Sequence, residues 1–417
     1  MVSASPGAGK TTRLPPALLS AVEGAVWVLE PRKIAATSAS QRIAEENGWE
    51  LGQEVGYQVR FDRRFGASTR LLFLTEAILL RKLLQDPELR GVGCVVLDEF
   101  HERSIHVDLA LGALRELQLL TDLKIVVMSA TLDAAPLSRF LGDAPVLEVP
   151  GMIHPLTIRY SGRPQLLRTG SEFVERMARL IQKSASEHRE GDALIFLPGR
   201  GEIERLRREL ESWADSTGIA LVPLHGQLDL ADQREALLPQ KHRKMILSTN
   251  VAESSLTVEG VRLVIDSGLA RISQLHPRTG FESLDLVRIS KASATQRAGR
   301  AARRGPGTVV RAWTPHDEIS MRDFDPPEIT RVDLSESLLL LASLGVTNFE
   351  SFSWFEAPPP RALAQARDLL LALEAMDEGG ILTPLGRRLR ELPVHPRVAR
   401  LLLEARNAGA PRLAAEL

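Results

Sequence analysis

Three short segments carry side chains whose types and spacing point to phosphate chemistry. The first is Ala4-Ser5-Pro6-Gly7-Ala8-Gly9-Lys10-Thr11, followed by Thr12. Glycines at 7 and 9 let successive backbone N–H groups turn inward around phosphate oxygens. A helix opening near Lys10 adds the positive end of its dipole. Lys10 brings a point charge to the outer phosphates and the Thr11 hydroxyl suits Mg2+. The stretch Pro6, Gly7, Ala8, Gly9, Lys10, Thr11, Thr12 is therefore the expected nucleotide-binding loop, with Ala4 standing where the loop pattern has its first glycine. A plain glycine-rich turn before a helix is the bland alternative.

The second segment is Asp98-Glu99-Phe100-His101, directly after the apolar run Val92–Leu97. A run of that kind suits a strand buried on both faces, and a carboxylate at its C-terminal edge sits beside a phosphate loop of the same sheet. Asp98 is expected to hold Mg2+, Glu99 to orient and deprotonate an attacking water, and His101 to sense the terminal phosphate. The third segment is Ser293-Ala294-Thr295-Gln296-Arg297-Ala298-Gly299-Arg300-Ala301-Ala302-Arg303. Gln296, Arg300 and Arg303 recur at spacings of four and three, which places them on one face of a helix. Two guanidiniums and an amide presented together can reach across a cleft and stabilise charge on a transferring phosphoryl group. Taken alone, the same residues also read as a basic nucleic-acid patch.

These segments need a scaffold that brings strand ends and helix starts together. Ala25–Leu29, Leu71–Leu74, Val92–Leu97, Lys124–Met128 and Val146–Val149 read as strands alternating with helical stretches. The pattern restarts after Pro150 with Leu156–Tyr160, Ala193–Leu197, Ala220–Leu224, Lys244–Ser248, Val261–Asp266 and Thr308–Ala312. Alternation of this kind predicts parallel sheets covered by helices on both faces, in two successive domains meeting near Pro150–Pro155. From Asp333 helical spacing takes over in Leu334–Leu344 and Ala362–Met376, broken by Ala357-Pro358-Pro359-Pro360. Gly379–Thr383 reads as a turn and short strand, with further helices from Pro384 and over Val398–Leu417. Both ends are expected to be cut, since the loop starts at residue 4 and the last helix has no stop signal.

Bulk properties bound the partners. Of 417 residues, 44% are hydrophobic and 25% charged, and the net charge is −1, so any groove for nucleic acid must be local. The single cysteine, Cys94, excludes an intrachain disulfide and multi-cysteine metal sites. No apolar stretch is long enough to span a bilayer, and a soluble cytoplasmic protein with no membrane partner is expected.

Asp98-Glu99-Phe100-His101-Glu102-Arg103-Ser104 resembles the DExH signature of superfamily 2 helicases in its DEAH-type extension. Ser129-Ala130-Thr131 is similar to their coupling motif, and Ser293–Arg303 to their arginine-finger motif, with Ala302 in place of its second glycine. Leu29-Glu30-Pro31-Arg32-Lys33, Leu74-Thr75-Glu76, Phe196-Leu197-Pro198-Gly199 and Ser248–Thr257 with Val264–Gly268 resemble four further motifs. Pro384–Arg388 and Leu392–Arg397 resemble the winged-helix and early ratchet region of DEAH-box helicases, while the short first domain, the loop over residues 4–12 and Trp354–Pro360 most resemble the bacterial HrpB-type branch.

The resemblance implies two tandem RecA-like P-loop NTPase domains (1–150 and 151–332). A mainly α winged-helix region (333–393) and the start of a ratchet-like helical domain (394–417) would follow. It implies a helicase or translocase that hydrolyses ATP with Mg2+ and acts on single-stranded or partly duplex RNA, with DNA possible. A nucleic-acid-stimulated NTPase that remodels with little unwinding is the alternative, and protein partners stay unknown. Arg32, Thr75, Thr249 and Asn250 would contact the strand backbone, Ser129 and Thr131 would couple hydrolysis to movement, and Asp266 would join the nucleotide site. Arg42 occupies the base-stacking position. Ala236 stands where the opposing aromatic is expected, which predicts tolerance for several NTPs.

Overall fold

The computed structural model describes residues 1–4, 9–130, 134–149, 154–254, 258–276, 279–410 and 412. The first part of the chain builds a sheet from β1 (Val2–Ala4), β2 (Ala25–Glu30), β3 (Val55–Val59), β4 (Asp62–Arg64), β5 (Leu71–Thr75), β6 (Val92–Leu97), β7 (Lys124–Ser129) and β8 (Leu147–Val149). Its order is β4-β3-β5-β2-β6-β7-β1-β8. All pairings are parallel except β3 with β4. Between the strands run α1 (Lys10–Leu18), α2 (Lys33–Asn47), α3 (Glu76–Gln85), α4 (Ile105–Gln118) and α5 (Ala134–Phe140). Val26, Val28, Leu71, Phe73, Val95 and Val96 are fully buried, as central strands sandwiched between helices require.

The second sheet uses β9 (Leu156–Tyr160), β10 (Asp192–Phe196), β11 (Ala220–Leu224), β12 (Lys244–Ser248), β13 (Val261–Asp266) and β16 (Gly307–Arg311). The order is β11-β12-β10-β13-β16-β9, again parallel. An antiparallel hairpin, β14 (Leu269–Leu275) with β15 (Glu282–Arg288), projects between β13 and β16. The helices here are α6 (Ser171–Glu187), α7 (Arg200–Thr217), α8 (Leu230–Leu237), α9 (Lys291–Gly299) and α10 (Pro315–Ile319).

Beyond Asp333 come α11 (Ser335–Ser343), α12 (Pro360–Ala372), α13 (Pro384–Glu391) and α14 (Pro396–Asn407). The strand expected over Gly379–Thr383 reduces to a single bridge between Met376 and Leu382. Leu338, Leu341 and Leu370 share one apolar core with Leu79, Val107 and Leu111 of the first part, so this helical segment is fastened to the first sheet. Gly112 of α4 marks the closest approach: a Cβ there would lie 2.5 Å from the Phe352 ring and 2.6 Å from the Ser353 carbonyl. Among the described residues no helix is long and apolar enough to cross a membrane.

Candidate active site

β1 and β6 end on the same edge of the first sheet, which brings the start of α1 to the residues after Leu97. Gly9 has φ 75°, a left-handed conformation that turns the chain into α1. Lys10, Thr11 and Thr12 form its first turn. Pro6, Gly7 and Ala8 lie outside the described residues. Thr11 Oγ1 donates to Asp98 Oδ2. Lys10 Nζ lies 3.1 Å from Glu99 Oε2 and 3.6 Å from Asp98 Oδ1.

The electrostatics separate the two carboxylates. Burial, reinforced by Glu99 and opposed by Lys10, pushes Asp98 up to about 6. Burial also works against the Glu99 charge, but Lys10, His101 and Arg300 outweigh it and hold that carboxyl at about 2. Glu99 is thus the more strongly ionised of the two carboxyls. Its backbone is left-handed, φ 49°, a conformation costly for a non-glycine residue and typical of sites where the surroundings over-determine it. His101 Nδ1 accepts from the Ala130 N–H at 3.3 Å, which leaves the proton on Nε2, 3.4 Å from Glu99 Oε2. Burial lowers the pKa of His101 from its ordinary value, with Glu99 opposing. The histidine therefore joins the acidic motif to the strand end at Ser129, whose buried hydroxyl has no hydrogen-bond partner among the described residues. Thr131 lies outside the described residues.

The second sheet presents α9. Ser290 caps its start by accepting from the Ser293 N–H at 3.0 Å. Arg297 is fully buried, with Nε 2.8 Å from Glu253 Oε2 and Nη1 2.9 Å from Asp266 Oδ1. Asp266, grouped with the nucleotide residues on sequence grounds, thus lies behind α9, where it also accepts from the Gly268 N–H. Gln296 is buried on the helix. The single helical face expected for Gln296, Arg300 and Arg303 is only partly realised. α9 ends at Gly299, and Arg300 and Ala301 continue in tighter turns bonded three residues back, so Arg303 projects from a bend. Arg300 Nε donates to the Glu253 carbonyl at 3.0 Å. Burial and Arg303 push the Arg300 guanidinium well down, and burial lowers Arg303 to about 10, while Glu99 acts on both from across the cleft. Two crowded, desolvated guanidiniums facing a phosphate loop favour an anion between them.

Arg32 pairs with both Glu102 oxygens, at 2.9 and 3.0 Å, and also donates to Ser254 Oγ of the second domain. Ser254 in turn donates to Glu102, so motifs from both domains meet there. Thr75 starts α3 at the end of β5, and Thr249 and Asn250 follow β12 with Asn250 exposed. Arg42 is exposed and paired with Glu46 at 2.7 Å, yet near enough to Arg303 to influence it. Ala236 is buried inside the second domain's core, so its position does not offer a stacking face.

Sequence reasoning missed Glu253, Glu102 and Glu30. Glu253 lay inside a motif already quoted, but its partner Arg297 is 44 residues away. Glu102 meets Ser254 across 152 residues, a distance no local pattern encodes.

Comparisons with known proteins agree with this geometry. Residues 1–140 match the DEAD/DEAH box helicase family, residues 173–305 the helicase conserved C-terminal domain, and residues 366–394 the winged-helix helicase associated domain (HA2). The chain is 41% identical over 423 residues to the ATP-dependent RNA helicase HrpB of Escherichia coli K12, covering 100% of this chain and 51% of that protein. A crystal structure of Escherichia coli DEAH/RHA helicase HrpB superposes with a TM-score of 0.87 at 40% identity, covering 99% of this chain and 53% of the other. A second, of the E. coli DExH-box NTPase HrpB, gives 0.83 at 39% identity, covering 100% and 51%. The chain spans about half the length of these relatives. It carries the DEAD/DEAH box helicase, helicase conserved C-terminal and winged-helix HA2 domains in that order, and is similar to HrpB along its whole length.

Proposed function

We propose that this chain hydrolyses ATP with Mg2+ between its two α/β domains and uses the cycle to move along or unwind RNA. The observation that supports this reading best is the opposition of Lys10, Thr11, Asp98 and Glu99 on one domain to Arg300 and Arg303 on the other, all centred on Glu99. The division into 1–150, 151–332, 333–393 and 394–417 belongs to the same reading.

The donor set fits Mg2+. Thr11 and Asp98 supply hard oxygen ligands side by side. No cluster of three or more His, Cys, Asp or Glu able to cage a metal occurs among the described residues. Magnesium is ordinarily held in this way, by one or two protein oxygens with substrate phosphates and water completing its shell. Bound there, the ion would offset phosphate charge. Lys10 would exchange its carboxylate partners for phosphate oxygens, freeing Glu99 to accept a proton from the attacking water. Arg300 and Arg303 would stabilise the charge developing on the transferred phosphoryl group.

Arg32, Thr75, Thr249 and Asn250 lie at or just after the C-terminal ends of β2, β5 and β12 and would hold a strand by its phosphates, which carries no sequence information. A strand phosphate at Arg32 would compete with Glu102, so strand binding and the contact to Ser254 would be linked. Hydrolysis rates without nucleic acid, with poly(A) and with single-stranded DNA test the proposal. Stimulation by poly(A) is expected, and equal rates in all three conditions would overturn it. The same assay with GTP, CTP and UTP is expected to give kcat/KM values close to that for ATP, because the buried Ala236 provides no base platform.

A further inference from the structure

Glu30 closes β2, one strand from β6 and Asp98, and the Asp98 N–H bonds to the carbonyl of its neighbour Leu29. It is 1% exposed, and neither carboxylate oxygen has a hydrogen-bond partner among the described residues. Burial, then Asp98 and Glu99, push this carboxyl well above its ordinary range, with Lys10 opposing. A buried polar group left unpaired costs stability, and each such group in a folded protein calls for a reason. Residue 30 points its chemistry at the site: the groups acting on it are Asp98, Glu99, Lys10 and Glu102. Glu102 is already matched by Arg32. Within the first domain one lysine therefore faces three carboxyls, a shortfall that a divalent cation would fill. The three do not converge into a cage that could hold a cation directly.

Resting on the Mg2+-ATP reading above, we propose that Glu30 is a positioning residue for the divalent cation. Its carboxylate accepts hydrogen bonds from water on the cation and so sets how tightly Asp98 and Thr11 hold it. Partners of this outer kind orient the ligands and waters of a metal, and losing one costs about 10- to 100-fold in metal affinity. The unpaired oxygens are the acceptors this role needs, and the stability they cost is the trade for it.

The test is a Mn2+ titration of the whole chain with ADP present, read by the EPR signal of free Mn2+, beside a thermal melt. Wild type, Glu30→Gln, Glu30→Met and Asp98→Asn are compared. Glu30→Met is expected to weaken Mn2+ binding at least about tenfold, with a Tm equal to or above wild type, and Glu30→Gln to fall between them. Mn2+ affinity within about twofold of wild type in both Glu30 variants, or loss confined to a variant whose melt is lowered, overturns the inference. If Asp98→Asn binds Mn2+ as wild type does, the Mg2+-ATP reading itself fails. Loss in Asp98→Asn with none in the Glu30 variants removes only the role of Glu30.

Discussion

Glu76 follows Thr75 in the first turn of α3, is fully buried, and is bonded by the Ser104 hydroxyl that also caps α4. Burial, with Glu102, Glu328 and Asp108 adding to it and Ser104 opposing, raises this carboxyl from 4.5 to about 8. The folded chain therefore holds a proton that the unfolded chain releases near 4.5. The stabilisation is complete below that pH and is lost as pH rises toward about 8. Glu76→Gln, which keeps the neutral shape, should melt like wild type at pH 5 and distinctly above it at pH 8.5. A constant difference in Tm across that range would contradict the assignment. Residues of this kind were hidden in the sequence, because a glutamate at a helix start ordinarily reads as dipole complementation. Lys10, Thr11, Asp98 and Glu99 were legible for the opposite reason: their chemistry demands those types in two short runs, each following a strand.

At the scale of elements, mostly apolar runs such as Val92–Leu97 and Val261–Asp266 were read to the residue, since a strand buried on both faces leaves little room for polar side chains. β3 was not, because glycine and glutamine interrupt its apolar residues, nor was β4, which is short and exposed; the strands of the half-exposed hairpin were not delimited either, since their pairing depends on neighbours. The helical spacing of Arg303 was real in sequence but overtaken by the turn after Gly299. Gly112 was equally silent: inside a helix it reads as a weak spot, whereas here it admits Phe352 and Ser353. Gly112→Ala should push the C-terminal segment off α4 and cost about 1–3 kcal/mol, read as a lower midpoint in urea unfolding. An unchanged midpoint would mean that the segment yields without loss.

At the scale of the whole molecule, the two domains share one site. Ile34 of α2 packs into the second domain's core, Arg32 and Glu102 meet Ser254, and Glu99 acts on Arg300 and Arg303. Opening and closing at this seam would gate hydrolysis. The alternation of strands and helices foretold two domains, but not which side chains cross between them, since that follows from tertiary placement. The most direct test is the kcat for ATP of Arg303→Ala with saturating poly(A), beside its affinity for a fluorescent ATP analogue. A fall in kcat of about a thousandfold or more is expected, with affinity changed by less than about tenfold, whereas hydrolysis at the wild-type rate would contradict a shared site.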